Sequence, residues 1–172
     1  NPSDDTIIGT IPRASPEDLQ AALDAAQRGF EIWKATSASK RAAVLHRTAE
    51  LLRQRSEIIA RAITLEQGKP IADARGEVAR SSTFLDWDAE QALRTYGRML
   101  PGEGDLRQLG IREPVGPVAA FTPWNVPLSS PARKISGALA AGCSIIIKPA
   151  QETPATVCLF AQCFADAGLP DG

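Results

Sequence analysis

Ser144-Ile145-Ile146-Ile147-Lys148 sets three isoleucines in succession, and that run constrains the chain more than any other. β-Branched side chains crowd the preceding turn of a helix but pack well on a pleated surface, so the run predicts a strand. Val118-Ala119-Ala120-Phe121 is a second short apolar run, of the kind that a strand covered on both faces requires. Between the two, Pro131 to Ala141 reads as a helix closed by Gly142. After the second, Thr153-Pro154 caps a helix that carries Val157, Leu159, Phe160 and Phe164 and ends at Gly168. Strand, helix, strand, helix is a βαβ unit with a following helix, the building block of a parallel sheet. Two strands do not form a stable parallel sheet alone. The chain therefore reads as the front part of a larger fold, with Leu169-Pro170-Asp171-Gly172 a turn where another strand is expected.

The preceding residues have a helical rhythm. Ser15-Pro16-Glu17-Asp18 supplies a capping hydroxyl, a proline suited to the first helical position, and acids at the positive helix end. Leu19, Ala22, Leu23, Ala26, Phe30 and Trp33 then recur at helical spacing and predict one buried face. A second helix from about Ser39 buries Ala42, Leu45, Ala49 and Leu52. A third from about Ser56 carries Ile59, Ala62 and Ile63 and stops at Gly68, and Pro70 opens a fourth over Ile71 to Tyr96, weakened in its first half by Gly76. Gly97 to Asp105 reads as a connecting loop and Leu106 to Glu113 as an extended segment. The expected fold class is α/β, a helical lead-in followed by part of a parallel, Rossmann-like cofactor-binding sheet. Its expected divisions are 1–105 (helical), 106–114 (extended, a possible oligomerisation strand) and 115–172 (partial dinucleotide-binding βαβα unit).

Composition narrows the function classes. Nineteen Lys and Arg against 20 Asp and Glu give a formal net charge of -1, which argues against a nucleic-acid or polybasic membrane binder. No apolar run approaches the roughly 18 residues of a membrane span, and the polar start Asn1–Asp5 does not read as a signal peptide. Three cysteines without paired spacing argue against a secreted disulfide framework, and the expected location is cytoplasmic. His46, the one histidine, falls mid-helix among Arg41, Arg47 and Arg53 and is expected to face solvent; no metal constellation is found.

In open parallel sheets the ligand lies beyond the carboxyl ends of the strands. That rule points to Thr122–Asn125 after the first strand and to Lys148–Gln151 after the second. A polar residue ending the second strand commonly contacts an adenosine ribose, and Lys148 and Gln151 stand there. The Gly-x-Gly-x-x-Gly phosphate loop is missing, since Gly102 and Gly104 precede no helix.

Thr122-Pro123-Trp124-Asn125-Val126-Pro127, then Gly137-Ala138-Leu139-Ala140-Ala141-Gly142-Cys143, then Lys148-Pro149-Ala150-Gln151-Glu152-Thr153-Pro154 resembles the NAD(P)-dependent aldehyde dehydrogenase superfamily; Glu66-Gln67-Gly68-Lys69-Pro70 is also typical of it. The resemblance spans the whole chain, as the amino-terminal third of such an enzyme. It implies a cysteine thiolate that attacks the aldehyde, hydride passage to NAD or NADP, and a glutamate-activated water that hydrolyses the thioester. By the same resemblance the nucleophile and the general base lie beyond Gly172. Cys143, Cys158 and Cys163 then read as small, mostly buried packing residues.

Asn125 matches the family asparagine whose amide helps form the oxyanion hole, although Asn is also a common helix cap. Thr122, Pro123 and Trp124 match the stretch that lines the cofactor. Lys148, with Pro149 and Ala150 behind it, matches the lysine that reaches the adenosine ribose. Gln151 departs from the glutamate common in NAD-preferring members. A neutral amide removes an anion that would repel a 2′-phosphate, and Lys148 attracts one, so the choice between NAD and NADP stays open. Val126 departs from the usual aromatic residue at the pocket mouth.

Arg133, eight residues after Asn125, stands where succinate-semialdehyde dehydrogenases carry an arginine that reaches the substrate carboxylate. A guanidinium fork suits that task, although the position also fits a surface arginine beside Lys134. The resemblance thus implies oxidation of succinate semialdehyde or a similar short acidic semialdehyde, in a dimer or tetramer that exchanges strands. Two rivals are a broad-range aldehyde dehydrogenase whose Arg133 points to solvent, and a non-catalytic binding or assembly module of the same fold.

Overall fold

The structure, a computed structural model, describes residues 1–172. Four helices come first: α1 (Pro16–Lys34), α2 (Ala38–Gln54), α3 (Ser56–Gln67) and α4 (Ile71–Ala92). A short antiparallel hairpin follows, β1 (Arg98–Leu100) against β2 (Gln108–Gly110). The last third is β3 (Val118–Phe121), α5 (Ser129–Ala141), β4 (Ile145–Lys148) and α6 (Pro154–Asp166). β3 and β4 pair in parallel with Val118 opposite Ile145 and Phe121 opposite Lys148, as the two apolar runs imply.

Local signals account for most helix ends. Ser15 and Asp18 form a reciprocal capping box at the start of α1: the Asp18 amide donates to Ser15 Oγ at 3.2 Å and the Ser15 amide to Asp18 Oδ2 at 2.8 Å. Gly68 (φ 81°) closes α3 and Gly142 (φ 91°) closes α5, both in the left-handed conformation that a β-carbon disfavours.

The core lies among the helices. α4 packs against α2, α3 and α5, and α6 lies on α2 and α3. Leu45, Leu52, Ile59, Ile63, Leu85 and Phe160 are completely buried there. Ile145 and Ile147 lean on this core from β4, whereas Phe121 faces outward, because successive side chains of a strand point to opposite faces. The helical layer thus covers one face of the two-stranded sheet.

The structure corrects three expectations. The apolar stripe of α1 is buried only from Ala26 to Trp33; Leu19 and Leu23 remain 55% and 48% exposed, because no element packs on the first half of that helix. α4 ends at Ala92 rather than Tyr96: Leu93 and Tyr96 are exposed, so no packing offsets the entropy of a further turn. The segment read as a loop over Gly97–Asp105 contains β1, a strand too short to announce itself and formed through its pairing with β2. His46 keeps 43% of its side chain exposed, as expected, and is also bracketed by acids: Nδ1 lies 3.0 Å from Asp86 Oδ1 and Nε2 lies 3.1 Å from Glu90 Oε1, across the α2–α4 seam.

Burial separates leucines that periodicity alone treats alike. Leu52→Ala is expected to cost about 2–5 kcal/mol and Leu19→Ala less than about 0.5 kcal/mol, measured by urea denaturation; equal losses would contradict this packing.

Candidate functional site

The ladder between β3 and β4 continues past Phe121, where the Thr122 amide donates to the Lys148 carbonyl at 3.2 Å. The two strand-end loops therefore leave the same sheet edge side by side. Thr122 is buried, whereas Pro123, Trp124 and Asn125 are exposed. Asn125 turns its side chain outward while its backbone carbonyl accepts a hydrogen bond from Lys69 Nζ at 3.2 Å. Lys148 and Gln151 are exposed, with Pro149 and Ala150 half-buried between them. These four residues line a cleft of about 660 Å³ whose opposite wall includes Arg13.

α5 follows the Asn125 loop directly, and the helical layer grips it at both ends. At its start, Glu77 Oε1 accepts from the Leu128 and Ser129 amides, both at 2.9 Å, while Oε2 pairs with Lys69. At its finish, Trp33 Nε1 donates to the Leu139 carbonyl at 2.8 Å and Arg41 Nε to the Ala140 carbonyl at 3.2 Å. An anion at the first turn and a cation at the last match the helix dipole, and both satisfy groups that a helix leaves unpaired at its ends. Burial pulls the Arg41 guanidinium below its ordinary value, with the neighbouring Cys143 acting in the opposite sense.

Between these grips, one stripe of α4 meets one stripe of α5. Ser81 Oγ lies 3.1 Å from Ser129 Oγ, the Arg133 guanidinium lies over the Phe84 ring at 4.4 Å, and Ser136 Oγ donates to Asp88. Positions 77, 81, 84 and 88 recur at helical spacing, as do 129, 133 and 136. Arg133 is exposed, and this contact leaves its guanidinium donors uncommitted. Arg133 stands apart from the Lys148 cleft; it lines a separate hollow of about 550 Å³ along β3, beside Phe121.

α6 is capped from outside as well. Thr153 precedes it, but its side chain makes no capping bond. Glu66 does that work instead: Oε1 accepts from the Ala155 amide at 2.6 Å, and Oε2 from the Thr156 amide at 2.9 Å and Thr156 Oγ1 at 2.7 Å. Glu66, Lys69, Glu77 and Phe84 had no role from periodicity. For Glu77 the available signal was an acid on the buried side of an amphipathic helix, where only paired polar groups survive, and for Glu66 and Lys69 it was the Glu66-Gln67-Gly68-Lys69-Pro70 motif.

The matching aldehyde dehydrogenase family covers residues 1–172. The chain belongs to the aldehyde dehydrogenase family. It is 40% identical to Succinate-semialdehyde dehydrogenase [NADP(+)] GabD of Escherichia coli (strain K12), covering 100% of this chain and 36% of that protein. It is 46% identical to 4-(hydroxymethyl)benzenesulfonate dehydrogenase TsaD1 of Comamonas testosteroni, again over 100% of this chain and 36% of the relative. The crystal structure of an E. coli NADP dependent enzyme superposes with a TM-score of 0.97 at 39% identity, over 99% of this chain and 36% of that one. The chain thus spans about 36% of the length of these relatives.

The cysteines divide by exposure. Cys143 and Cys163 are buried, as expected, but Cys158 is exposed because it falls on the outer side of α6. Burial pushes the Cys163 thiol up, only partly countered by Arg55, whose Nη1 lies 3.9 Å from Sγ. Iodoacetamide should therefore modify Cys158 in the folded protein and all three thiols only after unfolding, as read by mass spectrometry; modification of Cys163 in the folded state would contradict this order.

Proposed function

We propose that this chain carries the oxyanion donor, the substrate-carboxylate clamp and the adenosine-side cofactor contacts of an NAD(P)-dependent dehydrogenase for a short acidic semialdehyde such as succinate semialdehyde. The observation that carries this reading is the adjacency of the Asn125 and Lys148 loops on one sheet edge, with Arg133 on the helix that leads away from the first. On this reading the nucleophilic cysteine and the general-base glutamate come from polypeptide outside residues 1–172.

The cleft beside Lys148 suits a dinucleotide. It offers the Lys148 and Arg13 cations and the Gln151 amide, all exposed, and so has hydrogen-bond donors for ribose hydroxyls and positive charge for phosphate. The bound dinucleotide supplies the hydride acceptor. Lys148 and Gln151 hold its ribose end, and Thr122, Pro123 and Trp124 shape the wall that leads toward the reacting carbon. The uncharged Gln151 beside Lys148 tolerates a 2′-phosphate, in keeping with the NADP(+) in the GabD name.

Asn125 acts at the reacting centre. When a thiolate adds to the aldehyde, negative charge develops on the carbonyl oxygen, and a fixed amide donor stabilises that charge as it forms, worth about 3–4 kcal/mol. Arg133 grips the distal carboxylate through its guanidinium fork, preset by the Phe84 stack. A broad-range enzyme is the second reading, supported by the same stack if Arg133 only packs there. The exposed apolar side chains Met99, Leu109 and Ile111 of the β1–β2 hairpin support a further proposal, strand exchange in a dimer or tetramer.

In the intact enzyme, Arg133→Leu should lower kcat/KM for succinate semialdehyde by about 100-fold or more while changing propanal oxidation by less than about 3-fold. Equal effects on both substrates remove the semialdehyde assignment. Purified residues 1–172 should show no aldehyde-dependent reduction of NAD or NADP; clear turnover would place the nucleophile inside this chain.

A further inference from the structure

The segment from Glu66 to Glu77 carries none of the residues assigned to substrate or cofactor, yet it touches the root of both strand-end loops. We propose that its charged side chains are positioning residues: the Lys69–Glu77 pair sets where the Asn125 amide stands, and Glu66 sets where the Lys148–Gln151 turn stands. The proposal rests on the reading of Asn125 and Lys148 above.

Leu128, at the N-cap of α5, has no side-chain acceptor for the free amides of the first turn. Those amides turn instead to Glu77, a carboxylate with 0% exposure. A buried carboxylate is costly unless fully paired, and an apolar residue of similar volume generally serves stability as well or better. What the pair adds is geometry. Lys69 Nζ reaches both Glu77 and the Asn125 carbonyl, so one anchor holds Asn125 itself and the other holds Leu128 and Ser129. The backbone is fixed on both sides of the loop, and the Asn125 side chain is left free to point outward. An oxyanion donor displaced by about 1 Å loses much of its effect.

Glu66 does the same for the neighbouring loop. Its two oxygens take the first amides of α6, and the Thr153 amide donates to the Ala150 carbonyl at 3.2 Å, tying the turn to the helix start. Gly68, in the left-handed conformation, reverses the chain between Glu66 and Lys69, so that residues three apart serve the starts of two different helices.

The test is a set of variants in the intact enzyme, with active sites titrated and folding checked by circular dichroism. Lys69→Met/Glu77→Leu removes both charges together and should lower kcat about 10- to 100-fold while changing the cofactor KM less than about 3-fold. The Leu128 and Ser129 amides should exchange with deuterium at least about 10-fold faster. In an Asn125→Ala background the pair should have almost no further effect, since both changes remove one function. Glu66→Ala should act in the opposite sense, raising the NADP KM about 10-fold with a smaller change in kcat.

A kcat loss that persists undiminished in the Asn125→Ala background, or unchanged amide exchange, overturns the Lys69–Glu77 role. An unchanged NADP KM in Glu66→Ala overturns the Glu66 role. Full activity of Asn125→Ala with accelerated exchange instead removes the asparagine reading, and with it the catalytic consequence of the pair. If the leucine variant does not fold, Lys69→Met/Glu77→Gln keeps an acceptor for both amides and is judged by kcat and the mutant cycle.

Discussion

A single carboxylate, that of Glu77, ties α4 to the start of α5 and, through Lys69, to the loop that follows β3. It is sealed from water, yet each oxygen is committed: one to the Leu128 and Ser129 amides, the other to Lys69. A charge in that position is stable only while all its partners stay in place. The orientation of α5 relative to α4 therefore has little freedom. Trp33 and Arg41 complete the constraint at the other end of α5, where they take the Leu139 and Ala140 carbonyls. Everything proposed for catalysis hangs on α5 or on the loop that enters it.

This arrangement explains how the helical region supports the loop motifs of the family resemblance. The loops after β3 and β4 have few contacts of their own and are partly exposed. Their geometry is borrowed from helix starts that are capped at a distance, by Glu77 for one and Glu66 for the other. A side chain on a rigid, distant helix is a more exact fixture than a local Ser or Asn cap, which moves with the loop it caps. The Phe84–Arg133 contact extends the same logic along α4, placing a cation beside β3.

The charged surface serves the packing in a quieter way. Asp86 takes contacts from both Arg53 and His46, and its carboxyl sits below the usual range although its burial, the largest influence, acts upward. Its contribution to stability is held above the ordinary carboxylate pKa of about 3.9 and is lost as pH falls through the lower folded value. His46 is solvated, as the three arginines on its own helix suggested, but the acids that bracket it come from α4, 40 and 44 residues away.

The sequence alone determined what depends on neighbours within a few residues. The isoleucine run made β4, Val118–Phe121 made β3, Gly68 and Gly142 ended their helices, and Ser15 with Asp18 began α1, because propensity, capping and left-handed φ are local physics. That the Asn125 and Lys148 loops follow the carboxyl ends of two strands was legible in the same way, from where the apolar runs stop. Only the tertiary structure decided which half of α1 is buried, that Arg98–Leu100 pairs as a strand, that Cys158 is exposed, and that Glu66 rather than Thr153 caps α6. Each of these depends on packing or pairing outside the element itself, and a one-dimensional pattern records that a polar group must be satisfied without saying by whom.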